Sequence, residues 1–371
     1  MVKTRLFSLA VLCPALLVVL LAGCSAAVAA RSEILEIKEG VPGKFVSLAA
    51  SGANLFALFS DRESTTLKTL QVPIGPHLPA QAPAATVLDK IDVTPPLSAT
   101  FGEHALAVIG TTVEVLYAAR HNEDRGVLKL AYRDIDAPQW KLDIVDPPGD
   151  PVAVLPRSGS SFALYWAAGS LLSRVFPSDN AAVALSAPFQ LQGRASVFSS
   201  NAFTVFDGAS RAMMEVSVGP EGVTTRQIPD ASAVSSSLLT PDGRLAVLTW
   251  DARSRRLLLL EGRQGREDFS RTTVTLCDGT VTVALLPPHR RAGFLFLFDE
   301  VRHSGSGSTE YQLSLLSPGA VLGGLGSRYQ KEAVLSGQLP IESFAALETT
   351  DAIYILALQG TLKLIRLGFP Q

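Results

Sequence analysis

Thr240-Pro241-Asp242-Gly243-Arg244-Leu245-Ala246-Val247-Leu248-Thr249-Trp250-Asp251, continued after a short turn by Arg255-Arg256-Leu257-Leu258-Leu259-Leu260-Glu261, is the stretch that decides the fold. Proline presets one turn dihedral and glycine supplies a positive φ, so Pro241-Asp242-Gly243 reads as a tight turn. The two apolar runs that follow are short and bounded by turn-forming residues, which is the signature of two strands in a hairpin. Working outward, the same texture fills the chain from Ile34 onward. Phe45-Val46-Ser47-Leu48, Leu55-Phe56-Ala57-Leu58-Phe59 and Leu67-Lys68-Thr69-Leu70-Gln71-Val72 are strands by the same criteria, with Ser51-Gly52-Ala53-Asn54 as turn chemistry between them. No stretch of this region sustains the three-and-four spacing of an amphipathic helix, so the chain is all-β.

The hairpin recurs. Its first strands begin near Asn54, Val113, Ser161, Ala202, Arg244, Gly293 and Ala352. That spacing is roughly 40 to 60 residues, the size of a four-stranded unit. The Pro-Asp-Gly turn ahead of a short apolar strand resembles the link between the first two strands of a blade in many β-propellers. The unit Glu114-Val115-Leu116-Tyr117-Ala118-Ala119-Arg120, Gly126-Val127-Leu128-Lys129-Leu130-Ala131-Tyr132-Arg133-Asp134 and Trp140-Lys141-Leu142-Asp143-Ile144-Val145 looks like a blade of sialidase-like propellers, although their Ser-x-Asp-x-Gly-x-Thr-Trp box is absent. The resemblance implies a single β-propeller of seven four-stranded blades, with six and eight as the neighbouring counts. The last hairpin, Ile353 to Leu358 and Leu362 to Leu367, lacks two partners, and residues 319–326 form a loop with no evident place. Ile34-Leu35-Glu36-Ile37-Lys38 is a strand without a hairpin, and as the outer strand of the final blade it would close the ring and leave no orphaned edge. Two stacked β-sandwiches are the competing architecture. No Pro-rich or charged linker divides the chain as that would require.

The first two dozen residues differ from everything after them. Lys3 and Arg5 precede an apolar run from Leu6 to Leu21 that is broken by Pro14. This is the pattern of a secretory leader rather than a spanning helix. Its ending, Leu21-Ala22-Gly23-Cys24, resembles the lipobox of bacterial lipoprotein precursors. The resemblance implies cleavage before Cys24, a diacylglycerol on its thiol and an acylated amine. At about 0.8 kcal/mol per buried methylene, three chains give a permanent anchor. The expected organisation is a leader over 1–23, a lipidated tether over 24–32 and a propeller over 33–371. Ser25, not Asp, follows the modified cysteine, which by resemblance to enterobacterial sorting favours the outer membrane over the inner.

Composition narrows the function. Roughly 350 residues remain after such a leader, enough to bury a sizeable core. The formal charge is −2 over the whole chain, and it becomes more negative without Lys3 and Arg5. No basic face for nucleic acid is indicated. Cys13 would leave with the leader and Cys24 carry lipid, so Cys277 is the one remaining thiol and no internal disulfide can form. In the apolar run Val274-Thr275-Leu276-Cys277 it reads as a small buried hydrophobe. His77, His104, His121, His289 and His303 are never three to five residues apart, so no metal is expected. Gly323-Gly324-Leu325-Gly326 lacks the flanking strand and helix of a phosphate loop, no nucleophile elbow is present, and no cofactor is expected.

Candidate binding residues come from an acidic recurrence. Asp61, Asp207, Asp251 and Asp299 fall at the end of the first strand of their hairpins, and the second repeat offers His121 and Asp124 at the same place. On a ring these would share one face and could meet a cation, a basic peptide or sugar hydroxyls. Alternatively, each Asp starts a tight turn by bonding its own backbone two residues on. Trp140, Trp166 and Trp250 read as packing between blades, with sugar stacking as the other use. At the level of architecture the chain resembles propeller lipoproteins that serve as accessory subunits of outer-membrane assembly machinery. The expected function is a non-catalytic binding module for another envelope protein or glycan. A glycan-active hydrolase or lyase using loop-face carboxylates is the alternative.

Overall fold

The computed structural model describes residues 31–369 apart from 39, 41, 64, 92–98, 122–125, 158–159, 177–181, 186–189, 220–221, 267, 281, 288–293, 304–306 and 319–328. The leader, Cys24, most of the tether, Asp124 and the loop at 319–326 lie outside the described residues. Every regular element that is described is a strand, and the strands form seven antiparallel sheets of four.

The first blade is β2 (Pro42–Ser51), β3 (Asn54–Asp61), β4 (Thr66–Pro73) and β5 (Thr86–Lys90). The second is β6 (Ala99–Ile109), β7 (Thr112–His121), β8 (Val127–Asp134) and β9 (Lys141–Val145). The third is β10 (Asp150–Arg157), β11 (Ser160–Ala167), β12 (Ser170–Phe176) and β13 (Val183–Leu185). The fourth is β14 (Leu191–Ser199), β15 (Ala202–Asp207), β16 (Ala212–Gly219) and β17 (Gly222–Ile228). The fifth is β18 (Ser235–Leu239), β19 (Arg244–Asp251), β20 (Arg256–Arg263) and β21 (Phe269–Leu276). The sixth is β22 (Val283–Leu286), β23 (Leu295–His303), β24 (Thr309–Pro318) and β25 (Tyr329–Gly337). The seventh takes β26 (Ser343–Glu348), β27 (Ala352–Gln359) and β28 (Thr361–Gly368) and completes itself with β1 (Arg31–Ile37). First strands touch those of the adjacent blades in sequence all the way round, and β2 meets both β6 and β26, so the ring is closed. This is the seven-bladed β-propeller expected from the hairpin count.

The recurring hairpin is the second and third strand of each blade. These strands are apolar on both sides because each blade is sandwiched between two neighbours. All eight residues of β27 are buried, as are Leu55 to Asp61 in β3. The core clusters of the described residues accordingly lie between blades: one unites β1, β27 and β28 with β3 and β4, and another joins β7 and β8 to β11.

Closure joins the two ends of the described chain. β1 pairs with β28 from Arg31 opposite Gly368 to Ile37 opposite Leu362, and Leu35 and Ile37 enter the core between blades seven and one. A polar clasp reinforces the seam. Glu33 accepts from the Leu78 amide at 2.6 Å and contacts His77 Nδ1 at 2.8 Å, while Arg366 Nε donates to the Gly75 carbonyl at 3.0 Å.

Candidate functional site

Because neighbouring strands are antiparallel, the turns after second and fourth strands share one face of the ring, and those after first and third strands share the other. Asp61, Asp207 and Asp251 close β3, β15 and β19, and His121 closes β7, all on the first of these faces. β23 continues past Asp299 to His303, so this Asp is inside its strand rather than at its end.

The structure shows what these carboxylates touch. Asp207 Oδ1 accepts from the Ala209 amide at 3.1 Å, and Oδ2 from the Ser210 amide at 3.1 Å and its hydroxyl at 2.5 Å. Oδ1 also accepts from the Gln190 amide at 2.7 Å, just ahead of β14. Asp299 Oδ1 accepts from the Thr282 amide at 2.7 Å, just ahead of β22. Asp61 accepts from the Glu63 amide at 3.0 Å and from Lys68 Nζ at 3.1 Å. Its carboxylate lies so near Gly40 that a Cβ there would come within 2.3 Å, and Gly40 holds φ at +39°. Asp251 accepts from the Arg253 amide at 3.0 Å and the Ser254 hydroxyl at 2.5 Å. In that fifth blade Thr249 Oγ1, two residues earlier, receives the Ser232 amide at 2.8 Å.

A common device emerges: the end of the second strand holds the segment that leads into the first strand of the same blade. Blade seven uses Gln359, whose Nε2 donates to the Leu339 carbonyl at 3.0 Å. In blade three, which has Ala167-Ala168-Gly169 at this place, Gly149 approaches the Trp166 carbonyl so closely that a Cβ would sit 2.4 Å away. The turn geometry of Asp61, Asp207 and Asp251, each bonded to an amide two residues on, is the Asx arrangement. Asp207 is 5 % exposed. Burial works against its charge, yet the Ser210 hydroxyl and three backbone amides outweigh it and hold the carboxyl below the usual range. The Ser254 bond, against slight burial, does the same for Asp251.

A concavity opens on the opposite face, between blades two and three. It is a cavity of about 480 Å³ bounded by the β6–β7 turn, the residues after β8, and the β10–β11 turn. Ile109, Leu130 and Phe176 supply apolar wall, and Glu114, Tyr132 and Lys141 supply polar groups. Glu114 and Tyr132 are directly opposite on β7 and β8, so both side chains point toward blade three. Glu114 is 8 % exposed, and its Oε2 accepts from the Ser161 hydroxyl of blade three at 2.5 Å. Burial pushes the Glu114 carboxyl up, with the Ser161 bond opposing. Burial, together with a bond to Asp143 and the charge of Glu114, pushes the Tyr132 phenol up as well. Lys141 Nζ lies 5.9 Å from the centre of the Tyr132 ring.

None of these cavity residues stands out as a site in the sequence. The available signal was Glu114 itself, a lone acid within the apolar run Val113 to Ala119. The tryptophans are packing elements: Trp140, Trp166 and Trp250 each lie against an inter-blade core. Cys277 is buried, receives the Thr280 hydroxyl at 3.3 Å, and its thiol is pushed up by burial. Among the described residues, no group of three or more His, Cys, Asp or Glu is placed to hold a metal ion.

No family model matches the chain, and no curated protein matches it. Solved structures do. The chain is similar to "YCF48 bound to D1 peptide" at 12 % identity and a TM-score of 0.57, over 91 % of this chain and 96 % of that one. It is also similar to the phage phi92 endosialidase at 10 % identity and a TM-score of 0.54, over 92 % of this chain and 70 % of that one. At such identities the likeness is one of fold.

Proposed function

We propose that this chain is a lipid-anchored propeller of the bacterial envelope that binds another envelope protein through a face of its ring, without chemistry of its own. The observation that carries the reading is the open cavity between blades two and three, mounted on strands that inter-blade packing holds rigid. A preformed concavity with apolar walls and a few polar groups is what a binding site requires. A propeller of similar fold has a peptide as its named ligand, which supports a protein segment as the occupant. The opposite face, where Asp251 is 28 % exposed, offers a second surface in the same reading. The anchor in this proposal is the acylated Cys24, with the outer membrane as its site. A single cysteine-linked anchor would leave the whole ring in the aqueous compartment beside its partner.

Crosslinking in the native envelope, with photoreactive residues at Thr112 and Gln139 on the cavity rim, tests the proposal. A reproducible protein partner that is lost when the residue is moved to the outer strand β17 is expected. Turnover of a cell-wall or capsular glycan by the purified ring would overturn it. Labelled palmitate should enter the wild type and not Cys24→Ser.

A further inference from the structure

The described buried carboxylates of this ring are neutralised in two ways. Some face a cation: Asp89 meets Lys129 Nζ at 2.7 Å, Glu300 meets Lys331 Nζ at 2.5 Å, Asp61 meets Lys68, and Glu215 meets Arg226. Others receive backbone amides, as Asp207 and Asp299 do. Glu114 has neither. Its carboxylate accepts from the Ser161 hydroxyl through Oε2 and lines the cavity, and burial and that hydroxyl are what act on its charge. A buried carboxylate without a counter-charge is costly, and the shortfall falls away when a cation arrives.

The cavity has the shape for such a cation. Ile109, Leu130 and Phe176 form a wall that suits an aliphatic stem. Asp134 stands at the mouth, where it accepts from the Thr112 hydroxyl at 3.4 Å. Long basic side chains bury their methylenes along apolar surface and keep the charged head for a polar contact. Two cations of this chain border the cavity, and neither meets Glu114: Lys141 is exposed on the outer strand and lies over the Tyr132 ring, and Arg133 donates to the Ala137 carbonyl and to Gln71 Oε1.

We propose that the cavity between blades two and three receives a lysine or arginine side chain of the partner protein, with Glu114 as its counter-charge and Asp134 as a rim contact. This rests on the binding-module reading and makes it specific: the partner presents a basic residue on a protruding segment.

The test uses the full-length chain and three probes: Nα-acetyl-lysine methylamide, its norleucine analogue, which keeps the stem and lacks the ammonium, and the glutamate analogue. Binding is read from amide shifts of Thr112 and Ser160 on titration. The lysine probe should bind and the norleucine and glutamate probes should not. Glu114→Gln keeps an oxygen for the Ser161 hydroxyl and removes the charge, and should weaken the lysine probe by roughly tenfold or more. Asp134→Asn, at the exposed rim, should weaken it about two- to threefold and provides the readout if Glu114→Gln does not fold. Equal binding of lysine and norleucine, preference for glutamate, or no response to either substitution would overturn the inference. If crosslinking still captures the partner with Glu114→Gln at undiminished yield, the basic-residue assignment falls and the binding module stands. If no partner is captured while the lysine probe binds, the binding-module reading falls, the partner assignment falls with it, and only the cavity's preference for a cation stands.

Discussion

Asp207→Ala is the perturbation that best separates an architectural carboxylate from a recognition carboxylate. The side chain is 5 % exposed and accepts four hydrogen bonds, three of them inside its own turn and one from the Gln190 amide that leads into β14. Hydrogen bonds to a charged group contribute about 1.5–3 kcal/mol each, and those within one turn overlap because the turn can re-form around water. The long-range bond to Gln190 has no such substitute. A loss of about 3–4 kcal/mol follows for Asp207→Ala. Asp207→Asn keeps one acceptor oxygen but turns an amide donor toward the Ser210 N–H, and should lose about half as much. Asp251→Ala removes two bonds within a partly exposed turn and should cost about 1 kcal/mol. Urea denaturation of the three variants gives the order directly. The pH dependence has a definite sign. The folded carboxyl of Asp207 lies below its usual value of 3.8, so its contribution is present above that value and is lost as pH falls through the folded pKa. The gap between wild type and Asp207→Ala should therefore shrink in acid. Refutation would be an Asp207→Ala no less stable than Asp251→Ala, or one of full stability that no longer captures a partner.

Two more perturbations probe closure and charge. Leu35→Ala and Ile37→Ala should each cost roughly 2–4 kcal/mol, whereas Ile34→Ala, on the same strand but 49 % exposed, should cost less than about 1 kcal/mol, all read by urea denaturation; equal effects would mean that β1 does not close the ring. Glu348 is raised by burial to about 7 from 4.5, so its favourable protonated form is fully present below pH 4.5 and its contribution is lost as pH rises through 7. The denaturation midpoint should fall more between pH 5 and 8 in wild type than in Glu348→Gln, and parallel curves would refute the assignment.

The second and third strands of every blade are legible in the chain because both of their sides are covered, and double coverage writes itself as an unbroken apolar run such as Leu257 to Leu260. Turn residues punctuate those runs, so the number of blades follows by counting. The closing role of β1 is legible too, as a strand left without a hairpin beside a last blade left without an outer strand. The acidic recurrence is equally visible, but its meaning depends on what arrives beside it. Gln190 and Thr282 reach Asp207 and Asp299 from 17 positions away in the chain. The cavity is further from view. Glu114 and Ser161 are 47 residues apart and meet because blade three packs on blade two. Nothing local to either residue encodes that meeting. Sequence by itself determined the repeating sheet, since periodicity and turn chemistry act over a few residues. Tertiary structure decided which polar groups are stranded between sheets, since burial of a charge is a property of the neighbours that cover it.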